Sequence, residues 1–360
     1  MIREIISYFR THKHRLATVA LVFGFLVDIV TFRTLNLTYA LILLGVHLFI
    51  VAAATLLLSA PPKEESTSVS LKLRPWIEVA QQYSTGNLLS AFLILYASSG
   101  SLAASWPFLF LVAAAAVGNE ALKLDRYRLL FQTTLLFLNI LLYFALLLPV
   151  LLSSISSVTF FLSVAIAALI FNAYYLLLKL VAKENFTKSA RSVRRAATGV
   201  FIALGILYVT NIIPPIPLSL KTVSFYHGVE RFGAHYLAID ERRFLGGFFN
   251  LFGTTLRLGI GEDAYVYTAV FAPARLGTDV VHRWEHYDES RGKWVTQNQV
   301  PFPILGGRAE GYRGYSLTED PVPGKWRVSV ETTRGQIIGR SYVTIARPDR
   351  VIETIQIELE

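Results

Sequence analysis

Apolar stretches, each close to the length that spans a bilayer, fill residues 1–213 and stop there. A crossing helix needs about 20 largely apolar residues, and seven stretches meet that need: 16–35, 38–60, 86–104, 107–123, 131–152, 158–182 and 196–213. Ser98 to Ser101 interrupts the third, and only Ser105, Trp106 and Pro107 separate it from the fourth. A single re-entrant hairpin at that point would alter the count and leave the orientation unchanged. The expected first domain, residues 1–213, is therefore a membrane all-α region of about seven transmembrane helices. Composition agrees, since 53% hydrophobic and 16% charged residues lie far from soluble averages.

Orientation follows from the connecting segments, because loops that stay in the cytoplasm keep their Lys and Arg. Arg3, Arg10, Lys13 and Arg15 precede the first stretch; Lys63, Lys72 and Arg74 follow the second; Lys123, Arg126 and Arg128 follow the fourth; and Lys179, Lys183, Lys188, Arg191, Arg194 and Arg195 surround the sixth turn. The alternate segments hold Arg33 alone, and the Ser153–Ser157 turn is uncharged. The N-terminus is thus expected in the cytoplasm and the chain after residue 213 outside it. The first stretch runs from Leu16 to about Leu35 without a small-residue cleavage site, as an uncleaved signal anchor would.

Charge divides at the same place. Residues 1–213 carry 17 Lys and Arg against 8 Asp and Glu, and the remainder 17 against 17, so the net charge of +9 belongs to the apolar half. Basic residues that flank apolar helices are accounted for by orientation, which removes the case for nucleic acid as a partner. No cysteine is present, which excludes disulfides, thiolate metal sites and a Cys nucleophile.

Pro214, Pro215 and Pro217 remove backbone donors and fix φ, so a helix cannot continue through them, and residues 214–220 read as a stiff exit linker. Beyond it the pattern has period two, in Ala264–Phe271, Val280–Tyr287, Trp326–Thr332 and Ser341–Ile345, with turns at Glu289–Gly292 and Pro321–Gly324. Strands of this length between such turns predict an all-β, immunoglobulin-like sandwich over residues 221–360. Within it, Phe244–Gly253 is unusually apolar. It reads equally as a buried element or as an interfacial segment pressed into the outer leaflet beside Arg242 and Arg243.

The order of His282, Arg283 and Trp284, then Gly306–Arg308, Gly311–Arg313, Tyr315 and Ser316, Pro323–Val328, and Gly335 and Gln336 with Ile338–Arg340 resembles a bacterial domain of unknown function, number 2914. The Pro214–Leu220 exit is similar to that of multi-pass members of this family. The resemblance implies a protein of the Gram-negative inner membrane with a periplasmic β domain, and it implies no activity.

Two groups of residues are candidates for a site. In the helices, Asp28 lies about two-thirds of the way across the first stretch, where a carboxylate costs roughly 2.5–3.5 kcal/mol without a partner. With Arg33, Thr31 and Asn36 it forms either a polar lock on helix packing or an ion or substrate site. Asn119 and Glu120 stand near Lys123; the Glu120–Lys123 spacing suits a local ion pair, and the same residues with His47, Asn139 and Asn172 would line an internal polar path. In the β domain, Arg283, Trp284, Arg308, Arg313, Tyr315, Trp326 and Arg327 are the richest polar and aromatic set. They fit a binding face for sugars or anionic groups, or a core of Trp284 and Trp326 with arginines in cross-strand pairs.

His282 and His286 would stand on one face about 13 Å apart in a strand, too far for one zinc. No cofactor or metal is implied, and neither a nucleophile elbow nor a His-Glu-x-x-His helix is present. The glycines at 306, 307, 311 and 314 precede no Gly-Lys-Ser/Thr and read as turns and bulges. The expectation is an envelope protein of the bacterial inner membrane, partnered by the bilayer and presenting a periplasmic sandwich to a protein or glycan. The alternative is a transporter or membrane-embedded enzyme acting on a lipid-linked or envelope substrate.

Overall fold

The computed structural model describes residue 28 and residues 37–60, 68–121, 128–233, 235–241, 254–272, 276–305, 311–349 and 352–359. Within these the chain divides into two compact units. The first takes the segments up to Ala97, Trp106–Leu152 and Ser156–Ile212; the second takes Ser98–Ser105, Ser153–Ile155 and Ile213–Glu360.

The first unit is helical: α1 (Leu37–Ser59), α2 (Ser68–Ser98), α3 (Leu102–Ala121), α4 (Arg128–Leu151) and α5 (Ser157–Val209). Among the described residues, five stretches are long and apolar enough to cross a bilayer: Leu37–Ser59, Leu102–Asn119, Leu129–Leu151, Ser157–Lys183 and Ser189–Val209. The break between α2 and α3 falls at Ser98–Ser101, and Pro107 lies inside α3. The expected turn at Ser105–Pro107 is thus displaced by one helical turn towards the serines. α2 starts well before its expected boundary, and its first half carries Lys72, Arg74 and Glu78.

The basic segment around residues 183–195, expected as a loop, is also helical. α5 is two helices joined at Lys183, whose φ of 43° and ψ of −118° leave helical geometry. Contacts on either side show that the chain reverses there. The Tyr175 hydroxyl donates to the Ala190 carbonyl at 3.3 Å, and the Phe160 and Tyr208 rings stack 3.5 Å apart at the far end. Ser156 caps the start of α5, its Oγ accepting from the Thr159 amide. At the other end Ile212 N–H reaches the Leu207 carbonyl and Asn211 N–H the Tyr208 carbonyl, with Asn211 at a φ of 58°. That double bond pattern is a Schellman motif, in which Asn tolerates the left-handed position. The helix therefore stops before Pro214 is reached.

Among the described residues the second unit holds eleven strands in three sheets. β1 (Ser219–Tyr226), β5 (Ala264–Phe271) and β8 (Tyr312–Thr318) form one, in the order β1-β5-β8. β4 (Thr254–Arg257), β10 (Ile337–Ala346), β9 (Gly324–Thr332), β6 (Gly277–Asp288) and β7 (Lys293–Leu305) form the second, with β4 parallel to β10 and the rest antiparallel. β11 (Thr354–Leu359), β3 (His235–Glu241) and β2 (Gly228–Phe232) form the third.

Alternation sorts the side chains. Ala264 and Val266 from β5 join Phe225, Leu256, Trp284, Trp326, Val328, Val343 and Ile345 in a core shared by the first two sheets. Tyr267, one residue on, packs instead with Tyr226, Tyr236, Ala238 and Leu359, so β5 is covered on both faces. Burying a large apolar side chain contributes about 1.5–3 kcal/mol. These clusters therefore carry most of the favourable free energy of the unit. β7 contains Pro301 and Pro303, which are tolerated because β7 is the edge of its sheet.

Candidate functional site

The face of the five-stranded sheet that points away from Trp284, Val328 and Val330 carries a ladder of charged and aromatic side chains in three adjacent rows. Tyr342, Arg327, Glu285 and Thr296 pair across β10, β9, β6 and β7 in one row. Arg340, Ser329, Arg283 and Gln299 form the row on one side, and Thr344 and Lys325, then Tyr287 and Trp294, the row on the other.

The guanidinium of Arg327 donates Nε to Glu285 Oε2 at 2.6 Å and Nη2 to Oε1 at 2.9 Å, a bidentate fork. Its Cζ also lies 4.5 Å from the centre of the Trp294 ring. Trp294 meets Tyr287 at 5.1 Å and Tyr342 at 6.0 Å, and Lys325 Nζ sits 5.8 Å from the Tyr287 ring. Arg283 Nη2 pairs with Glu331 Oε1 at 2.5 Å, while its Nε is buried without a hydrogen-bond partner among the described residues. Burial holds the Glu331 carboxyl above its ordinary range, and Arg283 pulls it back down. Both carboxylates, Glu285 and Glu331, are buried, whereas Tyr342 is 52% exposed and Lys325 is exposed. Cations and aromatic rings are thus what this face offers to its surroundings.

Trp284 and Trp326, expected as candidates for either face or core, are 0% and 3% exposed and lie in the core. Arg313 and Tyr315 stand on β8, in the other sheet, where Tyr315 neighbours Tyr236 and Tyr265 and the Arg313 carbonyl accepts from the Tyr236 hydroxyl. Arg283 and Arg327 alone of the set share the ladder; Arg308 lies outside the described residues, as does the apolar run up to Gly253. Glu285, Trp294, Arg340 and Tyr342 complete the ladder and were not singled out from sequence. The spacing of Trp294 and Tyr287 about Glu289–Gly292 was the available signal, since a hairpin turn there brings the two rings together.

On the inner side His282 is fully buried. Its Nδ1 lies 2.9 Å from Ser316 Oγ and its Nε2 2.8 Å from Thr268 Oγ1, and the Trp284 indole N–H donates to Ser316 Oγ at 2.9 Å. One assignment satisfies every donor: Trp284 N–H to Ser316, Ser316 O–H to Nδ1, Nε2–H to Thr268, and Thr268 O–H to the Gly314 carbonyl at 3.5 Å. The imidazole is neutral in that chain. Burial pushes its pKa down to about 3. With no access to solvent, the network braces β5, β6 and β8 and offers no surface for a substrate. His286 is on the same face of β6, against Trp326 at 5.0 Å. Among the described residues no group of three or more His, Asp or Glu could hold a metal ion.

In the helical unit, Asp28 is helical and half-buried. Asn87 Nδ2 on α2 donates to its Oδ1 at 3.4 Å, and His47 Nδ1 on α1 lies 3.2 Å from Ser84 Oγ. Asn119, buried on α3, donates to the Gln82 carbonyl at 3.2 Å. Asn139 is fully buried, whereas Asn172 is exposed. Arg33, Thr31 and Asn36 lie outside the described residues, as does the side chain of Glu120.

Residues 277–345 match a family model described as protein of unknown function (DUF2914). No curated protein matches the chain. Among solved structures, the chain is similar to a β-glucosidase from Listeria innocua, in complexes with gluconolactone and with isofagomine, at 11% identity. The TM-scores are 0.19 and 0.18, over 31% of this chain and 16% of that one. It is also similar to the alkylpurine DNA glycosylase AlkC of Pseudomonas fluorescens bound to DNA containing an abasic site analog, at 10% identity and a TM-score of 0.22, over 87% of this chain and 99% of that one. Superpositions this poor carry no argument about fold or activity.

Proposed function

We propose that the chain is a multi-pass protein of the bacterial inner membrane that presents its β unit in the periplasm, where the ladder of the five-stranded sheet binds a glycan or protein bearing negative charge. Counting the stretch around Asp28 and the apolar end of α2 with the five stretches above gives seven crossings. Sixteen Lys and Arg in one set of connecting segments against one in the other put the N-terminus inside. The segments Ser98–Ser105 and Ser153–Ile155, which fall on the outer side in that scheme, group with the β unit. The shared core between the first two sheets supports a sandwich of the immunoglobulin type, an architecture widely used for binding.

The observation that carries the reading is the ladder itself. Its carboxylates are consumed by Arg283 and Arg327, while Tyr342, Lys325 and the Trp294 edge are left to meet a partner. Aromatic rings give stacking surface to sugar rings, and the cations select acidic ones.

The test uses the full chain in lipid nanodiscs, titrated with polygalacturonate and with neutral dextran, read by tryptophan emission. The acidic glycan should shift the signal, and Tyr342→Ala with Lys325→Ala should weaken its binding about tenfold, the loss of roughly one good contact. Equal binding by wild type and the double variant, or a response to dextran alone, sinks the proposal.

A further inference from the structure

α5 is a helical hairpin, and its tip concentrates positive charge. Residues 179–195 hold Lys179, Lys183, Lys188, Arg191, Arg194 and Arg195 against one acid, Glu184. Orientation in a membrane accounts for the sign of this charge and not for its placement. Lys179, Lys183, Arg191, Arg194 and Arg195 are exposed, and none of them forms an ion pair among the described residues. Spacing of three and four puts Arg191, Arg194 and Arg195 on one face of the return helix. Tyr175 on the outgoing helix meets that helix: its hydroxyl donates to the Ala190 carbonyl, and the Arg194 guanidinium lies 5.4 Å from its ring centre. Lys179 stands one turn beyond Tyr175 on the same side. Cations of both helices therefore flank the seam between them.

Their depth is set by the other end of the hairpin, where Phe160 stacks on Tyr208 and the helix stops at Val209. At about 1.5 Å per residue, Arg195 and Arg191 lie roughly 20 and 26 Å along the helix from Tyr208, within a hydrocarbon core about 30 Å thick. A guanidinium keeps its proton, so at that depth it needs a counter-charge or a path to water. Arg194 is engaged on the Tyr175 ring, which keeps its charge at that level. Leu169, Leu176 and Leu180, all exposed, run along one side of the outgoing helix from the same level towards the middle of the span.

Cations at the headgroup border, with an apolar stripe leading inward from them, suit a molecule that has an anionic head and acyl tails. We propose that Lys179, Arg191, Arg194 and Arg195 bind the phosphate of an anionic glycerophospholipid of the inner leaflet, whose chains lie along Leu176 and Leu169. Guanidinium forks match phosphate oxygens in pairs. The site rests on the orientation proposed above and shares no residue with the ladder.

The experiment titrates the full chain in dodecyl maltoside, at constant ionic strength, with dioctanoyl phosphatidylglycerol, dioctanoyl phosphatidylcholine or glycerol phosphate, and reads thermal unfolding. Phosphatidylglycerol should raise the midpoint by several degrees and saturate, as a ligand of the folded state does, and the other two should not. Arg194→Gln with Arg195→Gln should raise the half-saturating phosphatidylglycerol concentration about 25-fold, each cation near an anionic surface being worth a factor of about five. Lys179→Gln with Arg191→Gln should do the same while leaving the Tyr175 contact in place, so a folding failure of the first pair hides nothing. Arg291→Gln in the β unit should change nothing.

An equal response to phosphatidylcholine, or an unchanged half-saturation in the variants, overturns the site. An equal response to glycerol phosphate assigns the cations to a soluble anion and overturns the lipid as occupant. Orientation is read apart, by a reporter active only in the periplasm and fused after Glu360. An inactive reporter refutes the orientation, whereas an active one without a preference for phosphatidylglycerol refutes the lipid site alone.

Discussion

Between pH 7 and pH 5 the unfolded chain takes up a proton at residue 282 that the folded chain refuses. Burial holds the folded His282 imidazole at about 3, against an ordinary 6.5. Because the unfolded state binds the extra proton, stability is at full strength above pH 6.5, declines as pH falls, and has lost the whole contribution by about pH 3. Each pH unit in that window removes about 1.4 kcal/mol. Little is lost at pH 7, and pH 5 lies roughly 1.5 units below 6.5, so the expected cost is about 2 kcal/mol. Against a total of about 5–15 kcal/mol for a typical domain, that is readily measured.

The assay is urea unfolding of the full chain in detergent at both pH values, followed by tryptophan fluorescence, with Trp284, Trp294 and Trp326 reporting from the β unit. His282→Gln supplies the control: it is less stable at pH 7, and its stability should fall by about 2 kcal/mol less on acidification. Equal pH dependence of the two would refute the buried neutral histidine.

Ser316→Ala strands the Trp284 indole N–H and His282 Nδ1 together; a loss of about 1–3 kcal/mol in the same urea assay is expected. Arg327→Ala leaves Glu285, whose side chain is 8% exposed, as an uncompensated buried charge and should cost about 3–5 kcal/mol, whereas replacing both partners with Met and Leu should recover most of it. Gly311 sits at a φ of 100°, and a methyl group there would meet the backbone N and C of Val270 at 3.1 Å. Gly311→Ala should therefore lower the melting temperature of the β unit, at a cost of about 1–3 kcal/mol.

The succession of a helical region by a β-rich one and the period-two strands were legible because each rests on local pattern, and a run of apolar residues or an alternation needs no knowledge of distant partners. The ladder and the His282 network were not, since both depend on which strands become neighbours. Arg283 finds Glu331 through the β6–β9 register, and His282 finds Thr268 and Ser316 across two sheets. The third sheet was missed altogether. Thr354 to Leu359 alternates, but β11 pairs with β3 more than a hundred residues earlier in the chain. In the helices, the lysines and arginines around residue 188 suggested a loop, while backbone geometry at Lys183 alone makes the turn. The signal that marks an inner-side segment is charge, which helix and loop carry equally well.

The prolines of β7 bear on how copies of this protein can meet. A strand at the border of a sheet ordinarily offers free amides to any passing strand, and such borders are where chains zip into fibres. Pro301 and Pro303 supply no amide hydrogen, and the opposite border, β4, is only four residues long. Strand addition to this sheet is thus disfavoured along the proline-bearing end of β7, and β4 gives an incoming strand only four described residues to pair with.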